Sequence, residues 1–168
     1  MTIPAAGAPA ADFELRDQHG ALVRLSNFRG RPVVVMFFPY AFTGTCTGEL
    51  RAVRELQAEC DVAVLAISCD TMFALRTFGE TEGLRFPLLS DFWPHGAVTS
   101  AYGVFDADRG CPLRASFIID IDGTVRWSVV TTIAESRDVG DYHRVLDELA
   151  LERADVVSTH PGGPRPTA

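Results

Sequence analysis

The sequence predicts an α/β protein: a central mixed β-sheet flanked by helices, with a β-hairpin added at the N-terminus. Three patterns carry that expectation. Residues 33–38, and 62–68 up to the closing Ser68, are apolar runs too short for helices, and residues 45–59 between them are amphipathic and of helical length. Two buried strands joined through a helix run parallel. Residues 113–120 and 124–130 flank Asp122-Gly123, the turn chemistry of a tight antiparallel hairpin, so the sheet must be mixed.

Taken in order, residues 1–11 are rich in Ala and Pro and read as a loosely held leader. Phe13-Glu14-Leu15-Arg16 and Leu22-Val23-Arg24-Leu25 alternate around Asp17-Gln18-His19-Gly20, the pattern of a hairpin. Ser26-Asn27-Phe28-Arg29-Gly30 reads as one capped turn ending on glycine. The run 33–38 is apolar on both faces, as a central strand must be. In the helix that follows, Cys46, Leu50, Val53 and Gln57 share one side, so its first turn aims the Cys46 sulfur at the body of the protein. After the strand 62–68, Asp70 or Thr71 caps a helix reaching about residue 81 and stopped by Gly83. Residues 86–91 form a short strand or loop, Phe92-Trp93-Pro94-His95-Gly96 an aromatic turn, and residues 97–102 a brief helix. Residues 106–112 read as a loop before the hairpin. The last helix spans about 138–152, with Tyr142, Val145, Leu146 and Leu149 on its core face. This order is the thioredoxin arrangement.

Length and composition bound the function. A chain of 168 residues, 47% hydrophobic and 22% charged, suits one soluble domain, here 1–153, with a polar and then Pro/Gly-rich tail, 154–168, expected to be disordered. The formal charge of −7 argues against nucleic acid or an anionic membrane as the main partner. No segment is long and apolar enough to span a bilayer, and the first residues lack a basic region, so a cytoplasmic location is expected. The four cysteines, Cys46, Cys60, Cys69 and Cys111, are irregularly spaced and form no C-x-x-C pair, which disfavours a disulfide scaffold or a zinc site. The default for each is a small buried hydrophobe.

Cys46 departs from that default. It lies where an apolar strand ends at Pro39 and a helix begins, so the positive end of the helix dipole and free backbone N–H groups favour its thiolate. Thr43 offers a hydroxyl three residues earlier, Pro39 a ring that shields the sulfur from water, and Glu49 a carboxylate one turn on. The expected state is a half-sheltered nucleophile.

The motif Pro39-x-x-x-Thr43-x-x-Cys46 resembles the active-site signature of the peroxiredoxins. The resemblance continues through Glu49, Ser90-Asp91-Phe92-Trp93-Pro94-His95-Gly96-Ala97-Val98, Tyr102-Gly103-Val104-Phe105 and Arg114-Ala115-Ser116-Phe117-Ile118-Ile119-Asp120, and it looks most like the one-cysteine AhpE subgroup. It covers residues 9–149. The resemblance implies a cytoplasmic antioxidant enzyme, a thiol peroxidase using no metal, flavin or haem. Cys46 would be the peroxidatic cysteine, with Pro39, Thr43, Glu49 and Arg114 as the other catalytic residues. It would reduce hydrogen peroxide and organic hydroperoxides through a Cys46 sulfenic acid. Recycling would fall to an external thiol, mycothiol with mycoredoxin or a thioredoxin- or glutaredoxin-like reductant. A homodimer or larger ring is implied, packing through the loops near Phe42 and Trp93. Residue 51 is Arg51, not cysteine, and no cysteine follows Cys111, so two common positions for a resolving cysteine are vacant; Cys111 is the best internal candidate, and Cys60 and Cys69 read as packed thiols.

Two other classes fit an oxidisable Cys46. A thiol-disulfide oxidoreductase needs a second cysteine nearby, but Thr43 and Glu49 hold both C-x-x-C partner positions. A peroxide sensor or chaperone-like oligomer would use the same sulfur without turnover. A cysteine hydrolase lacks a histidine placed as general base.

Overall fold

The computed structural model describes residues 2–158. Strands β1 (Glu14–Arg16) and β2 (Leu22–Arg24) form the N-terminal hairpin, followed by a 3-10 turn, Leu25–Phe28. Then come β3 (Val33–Phe37), α1 (Gly44–Glu59), β4 (Ala63–Ser68), α2 (Met72–Glu82), β5 (Leu88–Ser90) and α3 (Ala97–Ala101). β6 (Phe105–Asp106), β7 (Cys111–Pro112), β8 (Arg114–Ile119), β9 (Val125–Thr131) and α4 (Val139–Ser158) complete the chain.

Seven strands form one mixed sheet in the order β2-β1-β5-β4-β3-β8-β9. β3 and β5 run parallel to β4, and β8 runs antiparallel to β3, as the two apolar runs and the hairpin require. This is the thioredoxin arrangement. The N-terminal hairpin extends it at one side by antiparallel pairing of Arg16 with Ser90.

The alternation of side chains along β3 divides the core in two. Val34, Met36 and Phe38 pack with Leu50, Val53 and Leu56 of α1, Leu75 and Phe78 of α2, and Tyr142, Leu146 and Leu149 of α4. Val33, Val35 and Phe37 face the other way, onto Phe13, Leu25, Tyr102, Val104 and Phe117. Three helices therefore cover one face, while the short α3 region, the 3-10 turn and the N-terminal segment cover the other.

Local signals set the ends. Thr71 Oγ1 accepts from Ala74 N and caps α2, and Gly83, at φ +62°, stops it in the left-handed conformation that glycine tolerates. α1 differs. Thr43 precedes it with extended backbone and makes no side-chain cap, and no acid lies in the first turn. The positive end of that helix is left uncompensated by its own side chains.

Three expectations change. The leader is not loose: Gly7 N and Ala10 N donate to Val125 O and Gly123 O, and Val125 N donates back to Ala8 O, so the segment is stitched to the β8–β9 hairpin by backbone alone. The 106–112 loop carries a two-stranded ladder, Phe105 opposite Pro112 and Asp106 opposite Cys111. The last helix runs on through residues 154–158, beyond the end near residue 152 that the sequence pattern predicts. The rest of the expected tail, 159–168, lies outside the described residues.

Candidate active site

The register of two strands brings the predicted residues together. Phe37 pairs with Ala115, the last pair between β3 and β8. Arg114, at the start of β8, therefore sits beside the point where the chain leaves β3 for α1. Cys46 and Glu49 face that point from the first turns of α1, and all three side chains are buried.

Arg114 Nη1 donates to Cys46 Sγ at 3.3 Å and to Glu49 Oε2 at 2.7 Å, while its Nε donates to Ile133 O at 2.7 Å. Its Nη2 makes none of the described hydrogen bonds. No buried side-chain nitrogen or oxygen among the described residues lacks a partner, so Nη2 is the corner of this guanidinium that opens to solvent.

A second arginine, unforeseen from the sequence, completes the cluster. Arg137 binds Glu49 Oε1 through its backbone N at 2.8 Å and its Nε at 3.1 Å, and Oε2 through Nη2 at 2.7 Å. Its Nη1 donates to Phe37 O (2.8 Å), Ala115 O (2.7 Å) and Ser116 Oγ (3.0 Å). Ser116 in turn shares a 2.7 Å hydrogen bond with the Tyr142 hydroxyl. Burial pushes the Glu49 carboxyl up, but the hydrogen bonds and charge of Arg137, joined by the charge of Arg114, outweigh it and hold the carboxyl below its usual range. Two guanidiniums against one carboxylate leave one positive charge in excess beside the sulfur. A negative sulfur brings the buried cluster to neutrality.

Two features differ from expectation. Cys46 has 0% of its surface exposed and is enclosed rather than half-sheltered, because the first turn of α1 is fully formed and the loop before it closes over the sulfur. That loop is held by Ala41 N donating to Asp70 Oδ2 (2.9 Å), by the Tyr40 hydroxyl donating to Arg109 O (3.1 Å), and by the Phe42 ring set edge-on to Phe78. Phe42 adopts φ +65°, an uncommon backbone state for a side chain of that size. Thr43 is exposed, and its hydroxyl donates to Tyr40 O at 3.2 Å rather than reaching the sulfur. Pro39 is buried two residues past the end of β3.

The remaining cysteines are free thiols. Cys60, half-buried at the far end of α1, lies 3.9 Å from His143 Nδ1, whose Nε2 is 3.6 Å from Glu59 Oε2. Burial, then Asp147 and Glu59, push its thiol up. Cys69 is pushed up to about 12 by burial, Asp91 and Cys111.

A thioredoxin-fold sheet that presents a helix-mouth thiol to a buried arginine defines the peroxiredoxin class of thiol peroxidases. The chain belongs to the AhpC/TSA family, whose model matches residues 6–128. It is 46% identical to alkyl hydroperoxide reductase E of Mycobacterium tuberculosis over 136 residues, 79% of this chain and 89% of that protein. It is 30% identical over 178 residues to the chloroplastic 2-Cys peroxiredoxin BAS1 of Arabidopsis thaliana, 98% of this chain and 66% of that one. The crystal structure of peroxidoxin BcpB from Mycobacterium tuberculosis superposes with a TM-score of 0.76 at 34% identity, covering 88% of this chain and 97% of that one. Mycobacterium tuberculosis AhpC gives a TM-score of 0.77 at 26% identity, covering 89% and 95%.

Two predictions test the electrostatics and the access. A carboxyl that titrates lower when folded than when unfolded contributes stability that is complete above about pH 4.5 and is lost as pH falls through the lower folded value. Urea midpoints should therefore fall more steeply on acidification in the wild type than in Glu49→Gln, which starts about 3–5 kcal/mol lower at neutral pH because two buried cations lose their partner. Parallel curves would show that Glu49 titrates alike in the folded and unfolded protein. The second concerns Gly48, whose missing Cβ would meet no atom within 4 Å. Gly48→Ala should stiffen the first turns of α1 by up to about 1 kcal/mol and slow alkylation of Cys46 by about fivefold. An unchanged rate would mean that reagents reach the sulfur without unwinding the helix.

Proposed function

We propose that Cys46 is the peroxidatic nucleophile of a thiol-dependent peroxidase acting on hydrogen peroxide and organic hydroperoxides. The observation that carries this reading is the 3.3 Å contact of Arg114 with the Cys46 sulfur inside a cluster of excess positive charge. In the reaction the sulfur attacks one peroxide oxygen and the O–O bond breaks. The departing oxygen takes a proton and leaves as water or alcohol, and Cys46 becomes a sulfenic acid.

The other residues divide the work. Arg114 stabilises the charged sulfur through Nη1 and offers Nη2 to the peroxide oxygens, so charge developing on the leaving oxygen meets a donor already in place. Glu49 holds Arg114 at the correct angle. Pro39 limits water at the sulfur. Thr43 turns its hydroxyl from Tyr40 O toward the peroxide once the loop opens, and there it orients the line of attack. Support for organic hydroperoxides comes from the name of the mycobacterial relative, alkyl hydroperoxide reductase E.

An external thiol, mycothiol with mycoredoxin or a thioredoxin- or glutaredoxin-like protein, returns the enzyme to its reduced state. The protein acts in the cytoplasm; among the described residues no helix is long and apolar enough to cross a membrane. It assembles as a homodimer or larger ring through the loops of Phe42 and Trp93, residues that are 57% and 81% exposed.

Steady-state peroxide consumption with excess thiol tests the assignment. Cys46→Ser should abolish it without loss of fold, and Arg114→Ala should reduce it by about two orders of magnitude while slowing alkylation of Cys46 at neutral pH. Turnover retained in Cys46→Ser would refute the nucleophile. Unchanged alkylation in Arg114→Ala would refute the role of the guanidinium.

A further inference from the structure

We infer that Cys111 is a resolving cysteine, condensing with the Cys46 sulfenic acid to an intrachain disulfide that the external thiol then reduces. This rests on Cys46 being the sulfur that peroxide oxidises. Cys111 is fully buried on β7, three residues before Arg114, so its backbone lies within about 10 Å of that of the arginine that grips Cys46.

The loop over Cys46 is also the cover of Cys111. The Tyr40 hydroxyl donates to Arg109 O, on the turn between β6 and β7, and the Cys111 thiol is its next neighbour, which helps push the phenol up to about 12. Peroxide reaches the enclosed Cys46 only when residues 40–46 move. That movement lifts Tyr40 from Arg109 and uncovers Cys111, so one opening admits the oxidant and frees the second thiol.

Burial holds the Cys111 thiol above its ordinary range and the Tyr40 hydroxyl pulls it back; Asp106 pushes it up, Arg109 pulls it down, and a charge on Cys46 adds a smaller push up. Oxidation turns Cys46 into a neutral sulfenic acid. That smaller push on Cys111 then ends, and so does the attraction between Arg114 and the first turn of α1.

The step balances without another oxidant. The Cys111 sulfur attacks the Cys46 sulfur, the S–O bond breaks, and the oxygen leaves as water with the proton of the Cys111 thiol. The other two thiols are poorly placed. Cys60 is fourteen residues along α1 from Cys46, about 21 Å on a continuous helix. Cys69 faces Asp91 and Thr99 at the end of β4, where burial and Asp91 push its thiol up to about 12.

The test uses the full-length reduced protein, one equivalent of hydrogen peroxide, capping of free thiols by alkylation, and peptide mapping without reduction. The wild type should lose two of its four thiols and yield one linked pair, the Cys46 and Cys111 peptides of a single chain. Cys111→Ser should stop at a sulfenic acid on Cys46. Cys46 oxidised with Cys111 still capped, or linked to Cys60 or Cys69, overturns the inference and leaves the peroxidase reading intact. Cys46 still capped overturns both.

Discussion

Glu49 accepts from two guanidiniums that would otherwise be buried charges without a counterion. Each of its oxygens is engaged by Arg137, and Oε2 by Arg114 as well. Removing two such cations from water costs several kcal/mol each, and the Glu49 carboxylate and the hydrogen bonds of both guanidiniums offset that cost. Arg137 also reaches the carbonyls of Phe37 and Ala115, the last residues of β3 and β8 to pair. The cluster therefore ties the ends of two central strands to α1 and to the segment before α4. Stability and reactivity share one set of contacts, because the guanidinium that Glu49 immobilises is the one that touches the sulfur.

Much of this was legible in the sequence, for physical reasons that differ by element. The runs 33–38 and 62–67 are buried on both faces and apolar throughout, so the strands announce themselves. Asp122-Gly123 marks its hairpin, with Gly123 at φ +84°. Cys46, Glu49 and Arg114 were readable because a strand-to-helix junction fixes two of them locally and the motif supplies the third.

Other features left no local trace. Arg137 is 88 residues from Glu49, and an arginine in a connection before a helix has the appearance of a surface residue. Ser116 and Tyr142 read as core positions, since nothing in a strand or helix periodicity announces a hydrogen bond between them. The N-terminal stitching runs through backbone groups of small residues, and the β6–β7 ladder is two residues long. α4 outlasts its expected end because the helix-breaking prolines and glycines begin only at Pro161.

The placement of Glu49 on the same helix as Cys46, one turn later, decides which part of the site can move. Gly44-Thr45-Cys46-Thr47-Gly48 holds two glycines and two β-branched residues, a weak start for a helix, and no side chain caps it. From Glu49 onward the helix is pinned by the arginine cluster and by Leu50, Val53 and Leu56 in the core. Fraying from the N-terminus can therefore proceed through Cys46 and halt at Glu49. Such fraying would release the sulfur from its enclosure while Arg114 is held by Glu49 and Ile133 O. A fixed guanidinium and a movable sulfur reconcile a fully buried resting thiol with access for an oxidant, and the acid that divides them is what makes the boundary sharp.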